Sequence, residues 1–340
     1  MAVPRSHTEA AGRQPSPRNT RRFRSVTATT DDAPVPAGLG WGDITVALHV
    51  AELELRLHGL SPAQATGLHD RYGGWTLDPS PNESASSGAW SIHFRPDREL
   101  VTPPSRYVDN GLYTPHMESG EGHVTIEGLG FRASIHLEPG HASTVVSRDE
   151  MLTVEPIIFE NVLRVLTAFS VLARGGLLLH SAAVATRRGV LLFVGRSGAG
   201  KTTMSRRAAA AGYRVLSDDV AIVVPDASGY RVLAAPFWGE MRPDPTALDD
   251  GGDRGGDTTV TSMFWLHQGS DIDRRRLPYR TRLARLLVCC PYVNADKRRG
   301  DHVLESAISL LGTVPMDELS TPKNASFHDV IDAIEEKGPA

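Results

Sequence analysis

The stretch Gly195-Arg196-Ser197-Gly198-Ala199-Gly200-Lys201-Thr202 satisfies the pattern G-x-x-x-x-G-K-[ST] in full, and it constrains the chain more than any other feature. Its context is the one the motif needs. Gly189 to Val194 is an apolar run with β-branched and aromatic residues, which predicts a buried strand. Thr203 to Ala211 is alanine-rich and predicts a helix. Strand, glycine loop and helix in that order converge backbone N–H groups on an anion, at a helix amino terminus whose partial positive charge favours it. Gly195, Arg196, Ser197, Gly198, Ala199, Gly200, Lys201, Thr202 and Thr203 are therefore candidate nucleotide-binding residues. In such a P-loop (Walker A) site Lys201 reaches the β- and γ-phosphates of ATP, and the Thr202 hydroxyl joins the magnesium shell.

Beyond the helix, Gly212 is a stop signal and Tyr213 to Leu216 reads as a short strand that runs into Ser217-Asp218-Asp219. Ligands of open α/β sheets bind at the carboxyl ends of the strands. One carboxylate there can hold magnesium through water, and the other can accept a proton from an attacking hydroxyl. Upstream, Gly175 to Val184 is an apolar strand interrupted by His180. A hairpin with 189–194 through Arg187-Arg188-Gly189 would bring that histidine near the phosphate loop.

This succession resembles the catalytic domain of the HPr kinase/phosphorylase family. A histidine-bearing strand, a short turn, the P-loop strand, the loop, a helix and a Gly-aromatic-Arg-apolar strand ending in Asp-Asp follow one another at similar spacing. The resemblance implies an α/β P-loop catalytic domain of HPr-kinase type, preceded by a β-rich (α+β) domain and a disordered amino-terminal tail. It implies functional roles for His180, Lys201, Thr202 and Asp219, with Asp219 as proton acceptor and Asp218 supporting the metal or the local geometry. Glu240-Met241-Arg242 resembles the family's E-x-R element, whose glutamate helps bind magnesium; Pro243 replaces the glycine that usually follows. The resemblance covers residues 174 to 245, extends loosely to about 335, and leaves out 41–153, which argues for a divergent member with a different substrate. What it implies is a kinase with ATP as donor, Mg2+ as cofactor, and a hydroxyl of a protein, peptide or small molecule as acceptor. Similar divergent kinases accompany clusters for modified peptides. Members often form homo-oligomers, which the resemblance leaves open here. Two other readings also stay open. One is a nucleotide-dependent ATPase or switch with no acceptor; the other is a phosphoenolpyruvate carboxykinase-like enzyme, which would need a separate organic-acid site.

The 340 residues carry 40% hydrophobic side chains, enough for one large core or two modest ones. The net charge of −4 excludes a chain that binds nucleic acid through overall basicity. No apolar run approaches the roughly 20 residues of a membrane helix. The only cysteines, Cys289 and Cys290, are adjacent and fit a reducing compartment, so a cytoplasmic protein is expected. Residues 1–37 are rich in Pro, Ser, Thr and Arg and predict a disordered tail. From 41 to 153, period-two alternation at Ile44–Val50, Leu53–Leu57, Ser91–Phe94, Val124–Ile126 and Phe131–Leu137 predicts a β-rich domain. Residues 154–337 form the expected kinase-like domain. It would be entered by an amphipathic helix from Ile157 to Leu172 and closed by a helix from Phe327 to Glu336. Arg274-Arg275-Arg276 reads as a solvated turn or as a phosphate or acidic-substrate contact, and Asp249 to Thr259 as a flexible loop.

Overall fold

Strict alternation builds the first sheet. The computed structural model describes residues 40–77, 88–102, 108–109, 112–113, 115–151, 156–241 and 258–336. The expectations for the tail 1–37, for Arg242, Pro243 and for most of the Asp249–Thr259 segment lie outside the described residues. In β1 (Ile44–Val50) and β2 (Leu53–Leu60), which form an antiparallel hairpin, Leu53, Leu55 and Leu57 are buried while Glu54, Arg56 and His58 are not. After helix α1 (Pro62–Tyr72) come β3 (Thr76–Leu77) and β4 (Trp90–Pro96). A separate two-stranded pair, β5 (Val108–Asp109) and β6 (Leu112–Tyr113), precedes β7 (His116–Ser119), β8 (His123–Gly128), β9 (Phe131–His136) and β10 (Ala142–Ser147). The order in this eight-stranded sheet is β3-β1-β2-β4-β10-β9-β8-β7, with β4 parallel to both β2 and β10 and the other pairs antiparallel.

Helix α1 is nucleated by a complete capping box. The Ser61 hydroxyl accepts from Gln64 N at 3.2 Å and Gln64 Oε1 accepts from Ser61 N at 2.9 Å, so two orphan donors of the first turn are satisfied reciprocally. The same hydroxyl donates to Glu150, and Gln64 Nε2 donates to the Glu150 carbonyl at 2.8 Å, which fastens the helix to the segment after β10. Ser61→Ala is expected to cost about 1–2 kcal/mol, read as a lowered urea midpoint with an unchanged m-value.

The second half starts with α2 (Asn161–Leu172), entered through a wide turn at Pro156–Glu160. β11 (Leu177–Leu179) then pairs with β15 (Ala221–Asp226), which forms a hairpin with β16 (Gly229–Leu233); this three-stranded sheet is antiparallel. β12 (Ser181–Thr186), β13 (Gly189–Val194), β14 (Arg214–Ser217), β17 (Val260–Gln268), β18 (Asp273–Arg276) and β19 (Met316–Thr321) form a six-stranded sheet ordered β14-β12-β13-β17-β19-β18. Helices α3 (Lys201–Ala210), α4 (Tyr279–Val288), α5 (Gly300–Thr313) and α6 (Phe327–Glu336) complete the described elements.

Period two sorts the apolar run of β13 onto two faces. Leu191 and Phe193 pack with Met204 and Ala208 of α3 and with Phe327, Val330 and Ile334 of α6, whereas Val190, Leu192 and Val194 belong to the larger core on the other side. That larger core is continuous from Leu48 of β1 to Met316 of β19. Phe159, just ahead of α2, links its parts through Tyr72 of α1, with ring centroids 5.2 Å apart, and Phe94 of β4, at 6.2 Å.

This architecture corrects the expected fold class. The chain is not an α/β catalytic domain of HPr-kinase type following a β-rich domain: among the described residues, strands in sheets of eight, six, three and two run through both halves. The physical reason lies in the connections. β12–β13 and β15–β16 are closed by tight turns and so run antiparallel, whereas a parallel pair needs a long crossover. Only β13–β17 and β17–β19 are parallel in the six-stranded sheet. Arg274–Arg276 lie in edge strand β18 rather than in a turn, and Arg274 is buried against Asp317 at 2.7 Å. Among the described residues no helix is long and apolar enough to cross a membrane.

Candidate functional site

The glycine loop joins β13 to α3 as its spacing predicts. Gly200 caps α3 at φ 105°, a left-handed conformation that a side chain would strain, and the Met204 N–H donates to its carbonyl at 2.9 Å. Lys201 is buried, 6% exposed, and its Nζ donates to the carbonyls of Gly195 at 2.9 Å and Arg196 at 3.1 Å. The ammonium thus folds back over its own loop. Burial pulls its pKa below the ordinary lysine value, while the negative charge of Asp219 works in the opposite direction.

His180 is the one residue between β11 and β12, where the chain passes from the three-stranded to the six-stranded sheet. Its backbone N–H donates to the Cys289 carbonyl at 2.7 Å, and Ser181 N donates to the Asp219 carbonyl at 3.0 Å. The His180 Nδ1 lies 2.9 Å from that same carbonyl and 3.2 Å from Asp219 Oδ1. The hairpin inferred for this strand is present as β12–β13, and it brings His180 to the glycine loop.

Asp218 and Asp219 follow β14 and have different surroundings. Asp218 is 2% exposed, and its carboxylate accepts from the backbone N–H groups of Gly239 at 2.8 Å, Glu240 at 2.7 Å and Met241 at 3.0 Å. It clamps the segment 239–241 against the site. Asp219 points to charged partners: Arg164 Nη2 donates to its Oδ2 at 2.8 Å, opposite the histidine. Burial alone would raise the Asp219 pKa, but the His180 hydrogen bond and the Arg164 charge outweigh it and hold the carboxyl at about 2. The group is ionised throughout the physiological range.

Arg164 was not singled out by sequence. It sits on α2 with its side chain mostly buried, between Asp219 and Glu160, and its guanidinium lies 5.4 Å from the Phe237 ring centroid. Glu160 in turn pairs with Arg71 of α1, whose guanidinium lies 4.3 Å from the Trp238 ring centroid. An alternating series Arg71–Glu160–Arg164–Asp219–His180 therefore runs from the first sheet's helix to the loop. The legible signal was a Glu160/Arg164 pair at i,i+4 among apolar residues that all face inward.

These groups surround one cavity of about 340 Å³, lined by Ser197, Gly198, Gly200, Lys201, Thr202 and Thr203 of the loop and helix, by His180, Asp218 and Asp219, and by Gly239 and Gln268. Of the expected magnesium set, Thr202 and Asp218 line this cavity and Glu240 does not: its side chain is exposed and pairs with Arg206 of α3. Among the described residues no group of three or more His, Cys, Asp or Glu is arranged to hold a metal ion. Magnesium at phosphate sites is commonly held by one or two carboxylates together with substrate oxygens and water. The Thr202 hydroxyl and the Asp218 carboxylate, which line the cavity, are oxygen donors of that kind and fit the ion.

Residues 147–274 match the family described as SynChlorMet cassette protein ScmC. No curated protein matches the chain. The matched span contains Arg164, His180, the whole glycine loop, both aspartates and Glu240, so what this chain has in common with that family is centred on the cavity rather than on the first sheet.

Proposed function

We propose that the protein binds ATP with magnesium at the glycine loop and transfers the γ-phosphoryl group to a hydroxyl of a protein, peptide or small molecule. The observation that carries this reading is the shared cavity: a phosphate-cradling loop with its lysine and threonine, a carboxylate and a histidine all open onto one space. The succession of strand, glycine loop and helix supports the same reaction class.

In this reading the backbone N–H groups of residues 195–203 and the amino terminus of α3 bind the phosphate chain. Lys201 exchanges its bonds to two loop carbonyls for the β- and γ-phosphate oxygens and stabilises the charge that moves onto the leaving group. Thr202 and, through water, Asp218 would hold magnesium, which would supply charge neutralisation on the phosphates. Asp219 orients the acceptor hydroxyl and takes its proton as the oxygen–phosphorus bond forms and the bond to the β–γ bridging oxygen breaks. A carboxylate of such low pKa is a weak base, so the proton moves late, after most of the nucleophile's charge has been spent on phosphorus. Arg164 and His180 fix the rotamer of Asp219. Asp218 keeps 239–241 in place.

The test incubates the protein with γ-labelled ATP, magnesium and lysate of its source, beside Asp219→Asn. The expected result is label on a specific acceptor, reduced about 100-fold or more in the variant. Free phosphate release that no acceptor stimulates would replace this reading with a nucleotide-driven ATPase.

A further inference from the structure

A second and larger cavity, of about 790 Å³, opens on the other flank of the glycine loop. It shares Ser197, Gly198 and Gln268 with the first, and its own walls come from the end of β17 and from α4. Its size is within the range of about 300–1,000 Å³ usual for small-molecule sites. The walls combine an aromatic plane with positive charge. Trp265 is half-buried, and the Arg285 guanidinium lies 4.9 Å from its ring centroid, held there by Glu318 at 2.7 Å. Arg196 and Arg280 also line the cavity; both are exposed, and neither has an ion-pair partner among the described residues.

Sheet order decides what this space can hold. β13, which carries the loop, has β12 and then β14 on one side and β17 on the other. His180 and Asp219 come from the β12/β14 side; Trp265 and Gln268 come from β17. In-line displacement puts the attacking and leaving oxygens on opposite sides of the phosphorus. With the acceptor hydroxyl at Asp219, the rest of the donor must extend away from Asp219, toward β17. Resting on the phosphate-loop reading above, the geometry points to the Trp265 cavity as the seat of the donor's nucleoside: the base lies against the Trp265–Arg285 plane, and Arg196 and Arg280 face the ribose and the adjoining phosphate. The ligand class is a nucleoside di- or triphosphate, and the phosphate chain bridges the two cavities across Ser197 and Gly198.

The experiment compares two probes by calorimetry in the presence of magnesium: ADP, which has a nucleoside, and inorganic tripolyphosphate, which has none. Trp265→Ala is expected to raise the Kd for ADP about 10- to 100-fold and to leave that for tripolyphosphate unchanged. Trp265→Phe, which keeps an aromatic plane, should stay within a few-fold of the wild type, and so guards against a loss of folding. Arg280→Glu should weaken ADP in the same selective way. Equal ADP affinity in wild type and both Trp265→Ala and Arg280→Glu would overturn the assignment and give the cavity to the acceptor. A wild-type chain that binds neither probe would overturn the phosphate-loop reading itself, and this inference with it.

Discussion

Replacing Lys201 by alanine is expected to lower phosphoryl transfer by about 100- to 1,000-fold. The ammonium is buried and already oriented by two carbonyls of the loop, so binding a phosphate exchanges one set of acceptors for another with little reorganisation. Its positive charge acts where water is largely excluded, and alanine leaves nothing there to offset the charge of the leaving phosphate. Arginine is a poor replacement because its planar fork cannot occupy the space of a point charge folded against Gly195 and Arg196. Single-turnover transfer of labelled phosphate measures the effect, with urea unfolding as a control. Stability should hold or rise slightly, since the variant no longer buries a charge whose pKa is depressed by desolvation. Transfer within ten-fold of the wild type would remove the loop lysine from the mechanism.

The largest stability effect is expected at Arg164. Arg164→Leu leaves Glu160, 5% exposed, and Asp219 with one cationic partner fewer each, and at Glu160 water has little access to replace it. Removing one member of a buried ion pair costs about 3–5 kcal/mol, and the urea midpoint should fall accordingly. Lysine at this position can reach one carboxylate but not both, and is expected to recover part of the loss. The pH dependence should change in step. In the wild type, the contribution of Asp219 is complete above its unfolded pKa of about 3.9 and is lost as pH falls to about 2, where the folded carboxyl protonates. Without Arg164 the folded pKa rises, and acid unfolding should begin at higher pH. An unchanged midpoint and an unchanged acid limb would show that the arginine does not hold these carboxylates.

The glycine loop was legible because its chemistry depends on local spacing: a glycine at a left-handed position, then a lysine and a hydroxyl at the first two positions of a helix. The alternating strands of the first sheet were legible for a similar reason, since period two is a local property. What escaped was non-local or locally disguised. Helix α1 is a mixture of Gln, His, Asp and Arg with little apolar stripe, and its start is marked by the Ser61/Gln64 box and by Pro62 at its first position. The hairpin 221–233 is interrupted by Pro225, which weakens a strand reading even though the residue sits next to the turn. Three successive arginines at 274–276 suggest solvent, yet strand pairing turns Arg274 inward to Asp317. The partnering of strands, on which the fold class depends, is not written in any one segment. Arg164 was passed over because an amphipathic reading of α2 counts its apolar residues and takes the charged ones to be outside.

Glu160 is gripped by an arginine from α1 on one side and by one from α2 on the other. That grip limits how such a chain can be inherited. A recombination event that exchanged the amino-terminal sheet for an unrelated module would strand half of the Glu160 charge and tilt Arg164 away from Asp219. The exchange would succeed only if the incoming module brought its own cation to the same spot. The contact between the amino-terminal sheet and the loop-bearing half thus sets a charge requirement that any replacement of that sheet has to meet.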